Sequence, residues 1–132
     1  MSNNSFCIIG VGRHARKKLI PSIKLIKNYK LVTVTRNINN IIDGVKNYND
    51  VKSALKYLDH NFIFIISTPP FTHYKILKIL LSYRVKVFVE KPIVVRSTQL
   101  NKIIKLSKFS NSLFYEIFPY KLSKIYKYLL ND

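Results

Sequence analysis

Apolar residues fall into short runs closed by glycine, proline or a polar cluster, and these runs alternate with longer stretches of helical spacing. Phe6-Cys7-Ile8-Ile9 ends at Gly10 and reads as a strand buried on both faces. Beyond it Leu19, Ile20, Ile23 and Ile26 recur at three- and four-residue spacing, while Arg16, Lys17, Lys18, Lys24 and Lys27 take the other face. That pattern predicts an amphipathic helix over 14–27. Pro21 lies inside it, removes a backbone donor and crowds the preceding turn, so a kink or a late helix start is expected there.

Leu31 to Thr35 predicts a second strand, followed by a polar loop over Asn37 to Asn40. An edge strand near Val45 and a short helix over 50–58, with Val51, Ala54, Leu55 and Leu58 inward, come next. Phe62 to Ile66 is the most apolar run and is stopped by Ser67-Thr68-Pro69-Pro70, as befits a central strand. A helix over 71–83 turns Ile76, Leu77, Leu80 and Leu81 to one face, and a strand over 85–89 ends at Glu90-Lys91-Pro92. A helix over 97–108 carries Leu100, Ile103, Ile104 and Leu106, and Leu113 to Phe118 is the last strand. Over 119–130 Leu122, Ile125 and Leu129 continue the stripe from Phe118, with Lys121, Lys124 and Lys127 opposite. Such a stripe needs cover from the sheet, a second copy or a partner subunit.

Strands separated by helices imply right-handed crossovers and a parallel sheet with helices on both sides. The expected fold is α/β, a Rossmann-like doubly wound parallel sheet forming a single domain over 1–118, with 119–132 as an added C-terminal helix. The 132 residues leave no room for a second full domain.

Charge widens the choice of partners, because 23 Lys and Arg against 6 Asp and Glu give a formal +17 that attracts any polyanion. The lysines are spread along the chain and form no block, which favours a basic solvated surface, with nucleic-acid binding as an alternative. Cys7 is the one cysteine, so no internal disulfide can form and a reducing, cytoplasmic setting is expected. Met1 to Ser5 has no leader-peptide character, no apolar run suits a membrane span, and no Cys/His spacing suits a metal.

Gly10-Val11-Gly12-Arg13-His14-Ala15 is G-x-G-x-x-A set between a predicted strand and a predicted helix. In that setting the first glycine permits a tight turn, the second lets backbone approach a pyrophosphate, and the small third residue lets helix and strand pack closely. Thr35-Arg36 stands where NAD-preferring domains end the second strand with an acid. A guanidinium pairs with a 2′-phosphate that a carboxylate would repel, so NADP(H) is expected in preference to NAD(H).

Together with Ser67-Thr68-Pro69-Pro70-x-x-His73 and Glu90-Lys91-Pro92, the glycine motif resembles the N-terminal domain of the glucose-fructose oxidoreductase, inositol dehydrogenase and rhizopine-catabolism (Gfo/Idh/MocA) family. Tyr115-Glu116-x-Phe118-x-Tyr120 is similar to the segment by which members enter their substrate domain. The resemblance implies that Gly10, Gly12, Arg13, His14 and Ala15 serve the pyrophosphate turn and that Thr35 and Arg36 meet the adenosine ribose. It implies further that Ser67, Thr68, Pro69 and His73 line the middle of the dinucleotide and that Glu90 meets the nicotinamide ribose. Lys91 corresponds to the family's catalytic lysine, which orients a substrate hydroxyl and handles its proton beside the cofactor.

Family members carry a second domain that walls the substrate pocket, and 119–132 would correspond to its start. The expected function is the nucleotide-binding part of an oxidoreductase for a sugar or cyclic polyol, inactive alone and either completed by a partner or a truncated remnant. A non-catalytic module that senses dinucleotide or docks a protein is the alternative from another class.

Overall fold

The computed structural model describes residues 4–117. The predicted helix over 119–130 and the domain boundary at 118 therefore lie outside the described residues.

Six strands form one sheet: β1 (Asn4–Ile9), β2 (Tyr29–Val34), β3 (Lys46–Tyr48), β4 (Phe62–Ile66), β5 (Lys86–Glu90) and β6 (Phe114–Ile117). Every pairing is parallel and the order is β3-β2-β1-β4-β5-β6, the doubly wound arrangement expected from the alternation of strands and helices. α2 (Val51–Leu55), α3 (Pro70–Ser82) and α4 (Ser97–Ser110) cover one face. Beneath them Cys7, Ile9, Phe62, Phe64, Ile66, Val87 and Val89 alternate inward along their strands. Ile8 and Ile65 point to the other face, where the helix after β1 lays Ala15, Ile20 and Ile23 over them. Burial strips water from Cys7 and pushes its thiol well above the ordinary range, so this cysteine is an inert core residue.

The disturbance expected at Pro21 takes a specific form. The helix begins at 13, widens into a π turn over Ala15–Leu19, and resumes α geometry as α1 (Ile20–Lys24). The Ile20 N–H donates to the Ala15 carbonyl five residues back, so the wider turn absorbs the register that a missing Pro21 donor disrupts. α4 buries only part of its apolar set. Ile103 is fully buried and Leu106 partly so, but Ile104 is exposed, because α4 lies along α3 at the rim of the sheet and buries a narrow stripe.

Asp50 starts α2 by accepting from the Ser53 N–H at 2.9 Å and lying 2.6 Å from the Ser53 hydroxyl. These bonds favour the ionised carboxyl and hold it below its usual range. A group whose acidity is strengthened by folding stabilises the native state above its unfolded titration range, and that contribution fades as pH falls through the folded one. Asp50→Ala should thus lower the urea midpoint at pH 7 and differ little from native at strongly acidic pH; an equal difference at both would contradict this account.

Candidate active site

In a doubly wound sheet the ligand crevice opens beyond the carboxyl ends of the strands, where the strand order reverses. Here that point lies between β1 and β4, and Gly10 and Ser67 are the first residues past them. The Ser67 N–H donates to Ile9 O at 2.8 Å and the Gly10 N–H to Val34 O at 3.0 Å, so the turn is fastened to both neighbouring strands. Gly10 has a φ of 90°, and a Cβ there would fall 2.6 Å from Thr68 Cγ2 and 2.8 Å from Ser67 O. Gly12 is the opposite case, since a Cβ added there meets nothing within 4 Å. The first glycine closes the turn; the second leaves open space above bare backbone.

The helix starts at once, with the Arg16 N–H donating to Gly12 O at 3.0 Å. Amides in the turn just before have no helical acceptor and face the crevice end of the helix. Ala15 is fully buried against Ile8 and Ile65, so its part is to bring helix and strand together. Arg13 and His14 are exposed beside the turn. His14 reaches across to β5, its Nε2 2.9 Å from Glu90 Oε1. The approach is close but not aligned as a hydrogen bond, and this buried carboxylate oxygen has no other donor among the described residues. An acceptor left in that condition is costly and would be relieved by a ligand hydroxyl.

Thr35 and Arg36 follow β2. Asn47 sews this end in place: its Oδ1 accepts from the Thr35 N–H at 3.1 Å and the Thr33 hydroxyl at 3.0 Å, and its Nδ2 donates to Thr35 O at 3.1 Å. Arg36 is exposed. The loop after it is tied to the first helix by Arg16, whose guanidinium donates to Asn39 O at 3.1 Å. Neither Asn47 nor Arg16 stood out in the sequence, since each acts through backbone atoms far away along the chain.

Ser67, Thr68 and Pro69 lead from β4 into α3, and Glu90 ends β5 with Lys91 directly after it. The Thr72 hydroxyl lies 2.6 Å from Thr68 Oγ1 and 2.7 Å from Pro69 O, which fixes the loop against α3. Lys91 is exposed at the mouth of the crevice, one residue past the buried Glu90 oxygen. His73 differs from the other expected cofactor residues. It is fully buried, with Nδ1 2.9 Å from Pro92 O and Nε2 2.8 Å from Thr68 O. It stands behind the loop and turns neither nitrogen to a ligand.

Gly10, Gly12, Arg13, His14, Thr35, Arg36, Ser67, Thr68, Pro69, Glu90 and Lys91 are thus brought to one edge of the sheet. The sequence profile of the oxidoreductase family with an NAD-binding Rossmann fold, Gfo/Idh/MocA, matches residues 5–117. The chain belongs to this family.

A curated relative, oxidoreductase P35 of Formosa agariphila, is 32% identical over 110 residues, spanning 79% of this chain and 34% of that protein. The D-galactose-1-dehydrogenase protein of Rhizobium etli is 26% identical, with a TM-score of 0.72 over 86% of this chain and 37% of its own. The WlbA dehydrogenase of Chromobacterium violaceum, solved with NADH and UDP-GlcNAcA, has a TM-score of 0.86 at 16% identity, covering 98% of this chain and 39% of its own. At that identity the likeness shows the fold alone. The chain therefore spans between a third and two fifths of the length of these proteins.

The nucleotide cofactor of the family fits the residues present, because nothing among the described residues fills the space over Gly12, and the buried Glu90 oxygen has only the unaligned approach of His14 there. Among the described residues no helix is long and apolar enough to cross a membrane.

Proposed function

We propose that this chain is the cofactor-binding part of an oxidoreductase that prefers NADP(H) and acts on a sugar or polyol hydroxyl. The carrying observation is the bare backbone at Gly12 beside a helix start, at the same mouth of the sheet as a buried Glu90 oxygen that His14 approaches without an aligned hydrogen bond. Backbone amides of the turn would hold the pyrophosphate, with Arg13 and His14 at its flank. Ser67, Thr68 and Pro69 would bound the middle of the dinucleotide, and Glu90 would accept from a ribose hydroxyl. When bound, the nicotinamide ring supplies the hydride acceptor or donor. Lys91, exposed beside that position, would orient the substrate hydroxyl and hold or release its proton.

The sugar or polyol class rests on the family and on the galactose dehydrogenase relative. Closing the substrate side would fall to further residues, of the same protein or of a partner, since hydride transfer needs a walled, dry pocket. The reduced, inert Cys7 suits a cytoplasmic setting.

Arg36 carries the choice of cofactor. Its guanidinium is exposed at the end of β2, where the 2′ position of an adenosine ribose would lie, and no acid occupies that position. Fluorescence titration should give NADPH an affinity roughly tenfold above NADH, the effect of a charge-assisted pair worth about 1.5–3 kcal/mol partly offset by solvent. Arg36→Ala should bring the two together. Equal affinities in the native chain would remove the preference, and no binding of either would remove the function.

A further inference from the structure

We infer that His73 is a positioning residue that locks the loop after β4 to the loop after β5, so that the phosphate turn and Lys91 are held as one unit. The two loops are separate in sequence, yet one imidazole spans them, meeting Thr68 O at 2.8 Å and Pro92 O at 2.9 Å. Carbonyl oxygens only accept, so a ring that bonds both loops carries an N–H on each nitrogen; with a single N–H it would bond one carbonyl and merely pack against the other. Neither contact is diluted by water, because His73 is wholly buried.

Both ends of this link bear on the candidate site. Thr68 is the residue whose methyl lies 2.6 Å from where a Gly10 Cβ would sit, so the loop held by His73 forms the floor of the glycine turn. Its other side is fastened by the Thr72 hydroxyl. Pro92 directly follows Lys91, so fixing its carbonyl fixes the backbone that carries the lysine. His73 itself rides on α3, whose Leu77, Leu80 and Leu81 are fully buried in the core. The helix thereby lends its rigidity to both loops.

His73→Leu removes the donors while keeping an apolar side chain in the core, and Leu80→Ala loosens the same helix without touching either loop. Amide hydrogen exchange on the full chain separates the two. In His73→Leu, exchange at Thr68, Phe71, Lys91, Ile93 and Val94 should rise about tenfold while amides of β1 and β4 stay within about threefold of native. Leu80→Ala should show the reverse emphasis. An even rise across the domain in His73→Leu, or no rise in the loops, overturns the inference. NADPH affinity should fall roughly tenfold in His73→Leu and stay within about threefold in Leu80→Ala; equal losses would reduce His73 to a packing residue.

This last arm rests on the dinucleotide reading, and the exchange arm does not, so a native chain that binds no cofactor sinks the function without deciding the clamp. If His73→Leu fails to fold, nitrogen-15 spectra of the native chain still decide. Both His73 ring N–H groups should be present and persist against solvent exchange; a ring with only one N–H, or N–H groups exchanging as fast as that of exposed His60, overturns the clamp.

Discussion

Gly10→Ala should destabilise the domain by about 3 kcal/mol, read as a lower urea midpoint at unchanged slope. Two costs combine. The backbone at φ 90° is one that an L side chain adopts only under strain, worth on the order of 1–3 kcal/mol. The new methyl would also stand 2.6 Å from Thr68 Cγ2 and 2.8 Å from Ser67 O, well inside contact distance. Neither neighbour can retreat cheaply, since the Ser67 N–H is bonded to Ile9 O across the central strand pair and Thr68 is held by Thr72 and His73. For a domain of ordinary stability, roughly 5–15 kcal/mol, such a loss is a large share of the total. A midpoint shift equivalent to less than about 1 kcal/mol would show that the turn relaxes and is not the fixed floor described above.

Much of this architecture was legible in the chain because parallel strands buried on both faces leave a signature that few other elements share. Phe62–Ile66 is unbroken by polar residues and stopped by Ser67-Thr68-Pro69-Pro70, and β4 occupies those limits. The glycine turn was equally readable, because Gly10 and Gly12 are required by backbone conformation and by open space respectively. Helical spacing tells which residues share a face but not how wide a strip the neighbours cover: Ile103 and Ile104 both belong to the apolar set of α4, yet Ile103 is buried and Ile104 exposed.

The side chains that hold the site in place were harder still. Asn47, Arg16 and His73 act on backbone carbonyls or amides between 5 and 25 residues away, and nothing in their own surroundings in the sequence announces a partner. His73 was expected at the cofactor because it lies in the family's pattern near the loop. It meets that loop from behind. A residue can therefore belong to a site's sequence signature while serving its geometry and never facing the ligand.

Gly12→Val should cost at least about 100-fold in NADPH affinity, close to 3 kcal/mol, the loss of roughly two charge-assisted backbone contacts to phosphate. Among the described residues nothing lies within 4 Å of a Cβ at Gly12, so a branched side chain should fit without disturbing the core and the urea midpoint should stay within about 1 kcal/mol of native. That same space is what a pyrophosphate needs in order to reach the amides at the start of the helix. Gly12→Ala, intruding by one methyl, should fall between native and valine. The formal charge of +17 supplies the competing explanation, because a strongly basic surface gathers any dinucleotide without a built site. Salt separates the two, since diffuse attraction is screened over about 8 Å at physiological ionic strength while contact in a fitted turn persists. Binding that vanishes in salt and is indifferent to position 12 would assign the affinity to surface charge, whereas salt-resistant binding abolished by valine would assign it to the glycine turn.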